Sequence, residues 1–142
     1  MTYAVQQDMV DRFAQTELVQ LTNPDNPAAT TINATVLGQA LADADAAIDG
    51  YLQGRYTLPL AVVPKVIVRY ACDIARYFLY DDRATEQVEK RYNDAIKFLE
   101  QVAKGAITLG LSATGAQPAE ADGAQMESDT PAFRRADSTG FI

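Results

Sequence analysis

The stretch Tyr51-Leu-Gln-Gly-Arg-Tyr-Thr-Leu-Pro-Leu60 separates two segments of helical periodicity, and its reading sets the fold. Upstream, Val36, Leu37, Ala40, Leu41, Ala44, Ala47, Ile48, Tyr51 and Leu52 recur at the spacing that gathers apolar side chains on one side of a helix. Asn33, whose side-chain oxygen can accept from orphan backbone N–H groups, is the predicted N-cap. Downstream, Pro64 opens a helix, since its missing N–H is not needed in the first turn. Val66, Ile67, Tyr70, Ala71, Ile74, Tyr77 and Phe78 form that helix's apolar stripe. Between the two, Gly50 and Gly54 weaken the first helix and Pro59 bars its continuation. The stretch therefore reads as a corner between two long helices, pinned to the core by Leu58 and Leu60, with Arg55 and Tyr56 left at the exposed corner.

Working outward, Met9, Val10 and Phe13 mark a helix from Gln6 to about Gln15, with Leu18 and Leu21 on a short appended turn. Asn23-Pro-Asp-Asn-Pro27 ends it, because proline fixes φ and biases the preceding residue away from the helical region. A last helix runs from about Ala84 to Lys104, with Val88, Tyr92, Ala95, Ile96, Leu99 and Val102 as its stripe and Asp81 or Asp82 as its cap. Gly105 stops it. The expected fold is all-α, a small bundle of about four helices over residues 1–111, with a long, partly extended C-terminal arm over residues 112–142. Ser112 to Glu127 is built of small, polar and acidic residues with Met126 as its one large apolar residue, too little apolar surface to offset the entropy of ordering. Pro131-Ala-Phe-Arg-Arg135 and Gly140-Phe-Ile142 then bring back aromatics and arginines. A polar spacer with an adhesive end implies an arm that orders on a partner, and its thirty or so residues reach on the order of 100 Å when extended.

Composition narrows the function. The 142 residues carry a net charge of −7, with a pI near 4.4, against the basic footprint that nucleic-acid or anionic-membrane binding requires. The absence of histidine removes the commonest general base and metal ligand, and one cysteine, Cys72, allows neither an internal disulfide nor a thiolate zinc site. No signal peptide is legible, and no stretch reaches the roughly 18 to 20 apolar residues that span a bilayer. The chain is expected in a reducing cytoplasm.

Three constellations invite a chemical reading. Asp43, Asp45 and Asp49 lie within two helical turns, a spacing open to acid–base or metal work by a small carboxylate enzyme; the structural reading is a solvated helix face. Cys72 in mid-helix, without a histidine to activate it, reads as a buried inert thiol. Arg69, Arg76 and Arg83 recur every seven residues, either as ion pairs inside the bundle or facing a neighbouring subunit. Of the tyrosines, Tyr70, Tyr77 and Tyr92 fit the core, and Tyr51, Tyr56 and Tyr80, at helix ends, are the interface candidates.

The run Ala44-Asp-Ala-Ala-Ile-Asp-Gly-Tyr-Leu-Gln-Gly-Arg-Tyr-Thr-Leu-Pro-Leu60, followed by Val63-Pro64 and Val68-Arg-Tyr-Ala-Cys-Asp-Ile-Ala-Arg-Tyr-Phe-Leu-Tyr-Asp-Asp82, resembles the phage Mu gp36-like family. Phe13 to Thr22 and the closing Pro131-Ala-Phe-Arg-Arg135 and Gly140-Phe141 extend the resemblance over nearly the whole chain. Val5 departs from it, standing where members more often have a hydroxyl residue, as does the proline-rich turn Asn23 to Pro27. The resemblance implies a structural virion protein of the neck: a head–tail connector (adaptor) subunit, made in the host cytoplasm, that assembles into a ring, commonly a dodecamer. The ring docks on the portal protein, meets the next neck or tail protein, and passes genomic DNA through its lumen without specific contacts. A tail-side completion protein, a stopper or terminator, is the alternative, though those are more often β-rich. No catalytic residue, cofactor or metal is expected. The interface candidates are Arg55, Tyr56, Tyr51, Tyr80, Arg69, Arg76, Arg83, Phe133, Arg134, Arg135 and Phe141.

Overall fold

The computed structural model describes residues 1–111, and the expected arm with Phe133, Arg134, Arg135 and Phe141 lies outside them. Within that range the fold is all-α, with five α-helices: α1 (Gln6–Phe13), α2 (Gln15–Thr22), α3 (Ala34–Leu52), α4 (Lys65–Tyr80) and α5 (Glu86–Ala103). A 3-10 turn, Asp81–Arg83, joins α4 to α5. The bundle of about four helices expected from the sequence is met with five, because the first segment is two helices that break at Ala14, where φ is 71°. The break lets α2 turn so that Leu18 and Val19 are buried while Phe13, at the end of α1, is buried as well.

Capping follows local chemistry. Asn33 Oδ1 accepts from Thr35 N–H and Val36 N–H at 3.1 and 3.3 Å, as its position predicts. Val5 has no acceptor to offer α1; instead the Asp8 carboxylate reaches back to the Val5 N–H at 2.9 Å. The cap of α5 corrects the sequence reading: Thr85 Oγ1, neither Asp81 nor Asp82, accepts from Val88 N–H at 3.3 Å. Gly105 terminates α5 with φ of 80°, which places the Ala106 N–H on the Gln101 carbonyl at 2.9 Å.

The core forms where α3, α4 and α5 meet. Leu37, Leu41, Ala44, Ile48 and Leu52 of α3 pack against Ile67, Ala71 and Ile74 of α4 and Ala95, Leu99 and Val102 of α5. Met9, Phe13 and Leu18 close one end from α1 and α2. The loop from Asn23 to Asn33 is held by polar groups. Buried Thr22 donates its hydroxyl to the Leu18 carbonyl at 2.7 Å and accepts from Asn33 N–H at 3.0 Å, while the Asn23 amide bridges the carbonyls of Val19 and Thr31 at 2.8 and 2.9 Å. The corner between α3 and α4 turns as expected, with Leu60 buried and Leu58 packed against the core.

Candidate functional site

The acidic face of α3 is the first candidate, and it is not solvated throughout. Asp43 is exposed and accepts from the Gln39 amide at 3.1 Å. Asp45 and Asp49 are half-buried under the N-terminal segment: Asp45 accepts the Tyr3 N–H at 2.9 Å, the Tyr3 hydroxyl donates to Asp49, and the Met1 ammonium stands 3.6 Å from Asp49. Tyr3 and Ala4 are 3% and 2% exposed, so these carboxylates serve to seat a segment that the sequence reading left unassigned. Burial pushes the Asp45 carboxyl up from its ordinary range, with the Tyr3 N–H and the Met1 ammonium opposing, and burial with the Asp49 hydrogen bond pushes the Tyr3 phenol up as well. The three aspartates do not converge on one cavity. A shallow groove of about 330 Å³ beside Asp45 is otherwise lined mainly by apolar and small residues, among them Val5, Leu37 and Gly38.

The three arginines separate. Arg76 is drawn into the body: its guanidinium Nε and Nη2 donate to Glu17 Oε1 at 3.2 and 2.7 Å, and its Cζ lies 4.5 Å from the centre of the Phe13 ring. The Tyr80 hydroxyl donates to the same oxygen, and burial followed by that hydrogen bond pushes the phenol up. Glu17, Arg76, Tyr80 and Phe13 thus tie α1 and α2 to α4. Arg69 is exposed and faces Asp73 at 4.0 Å, and Arg83 is exposed on the 3-10 turn.

Asp73 is the one buried acid among the described residues, with a side chain 4% exposed and Arg69 and Arg91 at 4.0 and 3.9 Å. Burial raises its carboxyl, and the positive fields of Arg91, Arg69, Arg12 and Arg76 oppose that rise. A folded-state value above the unfolded one means that the folded chain binds this proton more tightly. The stability so contributed is present below the unfolded value, about 3.9, and is lost as pH rises through the raised one. Asp73→Asn is therefore expected to gain stability relative to wild type between about pH 3.5 and pH 7, as urea unfolding at both pH values would show. A difference that is constant or moves the other way contradicts the assignment. Neighbouring Cys72 is fully buried and its thiol is pushed up to about 12, chiefly by burial, in keeping with an inert core role.

The aromatic residues line the α4–α5 seam. The Tyr77 and Tyr92 rings stack with centroids 3.9 Å apart, and Tyr70 meets Phe98 at 4.7 Å. Tyr51 is half-buried beside this group. Tyr56 corrects the picture of an exposed corner: it is half-buried, and its hydroxyl accepts the Leu109 N–H at 3.0 Å. Arg55, which is exposed, lies across Gly105, its guanidinium within 2.6 to 2.8 Å of where a Cβ would stand. The corner stretch thus holds residues 105–111, the base from which the chain continues toward its C-terminus. Sequence reasoning missed this clamp and the Glu17–Arg76 tie because the partners are 53 and 59 residues apart.

Among the described residues no group of three or more histidine, cysteine, aspartate or glutamate side chains is placed to hold a metal ion, and no helix is long and apolar enough to cross a membrane. What these surfaces define is a small helical protein whose polar side chains, among the described residues, work at tying segments together. Residues 3–128 match the family model described as Bacteriophage Mu, Gp36, and the chain belongs to that family. It is 44% identical over 140 residues to the Mu-like prophage FluMu protein gp36 of Haemophilus influenzae, covering 99% of this chain and 98% of that one. It is 42% identical over 143 residues to Gene product J of Escherichia phage Mu, covering both chains completely.

Proposed function

We propose that this chain is a structural virion protein, a head–tail connector subunit that assembles into a ring beneath the portal. The observation that carries the reading is end-to-end kinship with two phage Mu-type proteins. The all-helical body supports an adaptor over a stopper or terminator, which are more often β-rich. Charge is uneven along the chain: residues 1–52 carry seven acids and one base, and residues 53–111 seven acids and nine bases. A head-to-tail ring sets one side of each subunit against the other side of the next, where opposite charge steers the contact. The net acidity of the whole chain suits a lumen through which DNA slides, since like charge prevents the phosphate contacts that would hold a duplex.

In this reading the ring, commonly twelve-fold in related connectors, presents its far side to the next neck or tail protein. The subunit works by assembly and not by catalysis. Residues 112–142 form the arm that reaches a neighbour or the portal, and Arg55, Arg69 and Arg83, all exposed, are among the cations of the body offered to a subunit contact. Truncation after Leu111 is expected to leave the far-ultraviolet circular dichroism per helix almost unchanged while abolishing ring or portal association, read by light scattering and by electron microscopy of the portal mixture. A truncated chain that assembles normally defeats the proposal.

A further inference from the structure

A second pocket, of about 440 Å³, opens where the C-terminal end of α4 passes α3, and it is lined by Asp43, Tyr77, Phe78 and Asp81. Two half-buried aromatic rings and two exposed carboxylates share this one concavity. Among the described residues no lysine or arginine lies within ion-pair distance of Asp43 or Asp81. No guanidinium of those residues lies over the Tyr77 or Phe78 ring. The end of α4 sharpens the demand for a cation. A helix C-terminus carries partial negative charge and is ordinarily matched by Lys or Arg, yet the last turn of α4 has no basic residue and runs straight into Asp81 and Asp82. Asp81 also holds φ of 52°, a conformation that glycine adopts more cheaply, so its presence is not explained by the turn it makes.

This lining suits a flat cation that can lie on an aromatic face and donate paired N–H groups to carboxylates, which is the chemistry of a guanidinium. An ammonium supplies the charge without the plane or the fork. We propose that the pocket is an arginine-binding site and that its occupant in the free chain is the Phe133-Arg134-Arg135 segment of the same chain. Arg134 and Arg135 are the two basic residues beyond Leu111, and Phe133 beside them brings an apolar side chain to an aromatic rim. Twenty-one residues, 112–132, lie between Leu111 and this segment and span roughly 70 Å when extended. The full 19 residues of α3 cover only about 28 Å, so reach is ample. A tethered ligand meets its site at an effective concentration well above that of a second copy in dilute solution, which favours the same chain. The contact is independent of the connector reading; under that reading it holds the arm back until a partner competes for it.

The test uses the full chain with Cys72→Ala, Gln39→Cys and Ala136→Cys. Residue 39 is one helical turn from Asp43, whose carboxylate the native Gln39 amide contacts at 3.1 Å, and position 136 follows Arg135. The effective molarity of the intrachain disulfide, measured against a glutathione buffer, is expected to fall at least tenfold when Asp43→Asn and Asp81→Asn are introduced together. The same loss is expected for the pair Arg134→Gln and Arg135→Gln, and most of it for Arg134→Lys with Arg135→Lys. Circular dichroism checks that each variant keeps its helices. An effective molarity that ignores these substitutions, a cross-link formed mainly between copies, or full retention with lysine overturns the assignment.

Discussion

Ile48→Ala is expected to lower the unfolding free energy by about 2–5 kcal/mol, the range for removing a large aliphatic side chain from a packed core. Ile48 is fully buried in the C-terminal third of α3, among the side chains that α4 and α5 present to it. Its removal deletes apolar transfer energy and leaves a cavity that three helices fixed by one another cannot collapse to fill. Total stabilities of domains this size run at about 5–15 kcal/mol, so the variant would keep only part of its margin. Urea unfolding followed by circular dichroism measures the shift, and Ile48→Val, which retains most of the volume, is expected to cost about 0.5–1.5 kcal/mol. A loss below that of the valine variant would show that the helices close over the gap and that the core is not packed as described.

Glu17→Ala is expected to cost about 2–3 kcal/mol, a value below that of a fully buried pair because Glu17 and Arg76 are 22% and 14% exposed and water screens part of the charge. One oxygen of Glu17 takes two guanidinium N–H groups and the Tyr80 hydroxyl, so its loss strands three donors, two of them on a cation held over the Phe13 ring. The double variant Glu17→Leu with Arg76→Met is expected to recover most of the loss, to within about 1 kcal/mol of wild type, since it removes the stranded charge together with its partner. A double-mutant cycle by denaturant unfolding distinguishes the cases: simple additivity would mean that the tie between α2 and α4 carries no coupling.

The two effects differ in how far the sequence announces them. Ile48 stands in an unbroken run of apolar residues at helical spacing, and its burial is legible from periodicity alone. Glu17 looks like an ordinary acid in a short helix. Nothing local distinguishes it from Asp11 or Asp25, because its meaning comes from two side chains about sixty residues away. The same holds for the arginines at 69, 76 and 83, which share a spacing but not an environment. Arg76 is half-buried in an ion pair, Arg69 is exposed beside a buried acid, and Arg83 lies past the end of the helix on the 3-10 turn.

Asp45, Asp49 and Tyr56 make the point for the candidate surfaces. Helical spacing correctly put the two aspartates off the apolar stripe, but it could not show that Tyr3 would lie down over them. Placing Tyr56 at a corner was correct, yet its hydroxyl is spent on residue 109 and not offered to solvent. Periodicity reports which face of an element is apolar; it carries no information about which distant segment covers a face that is mixed.

By itself, then, the sequence determined the elements of this protein: helices from the three- and four-residue recurrence of apolar side chains, ends at Asn33, Pro64 and Gly105, and its family from the run between Ala44 and Asp82. These are properties of short windows, where the backbone responds to its immediate neighbours. Only the tertiary structure decided that the first segment breaks at Ala14, that Glu17 serves Arg76 and Tyr80, and that two aromatic rings and two carboxylates meet in one pocket between α3 and α4. Each of these depends on contacts between residues far apart in the chain, which come together once the apolar stripes have been buried against one another.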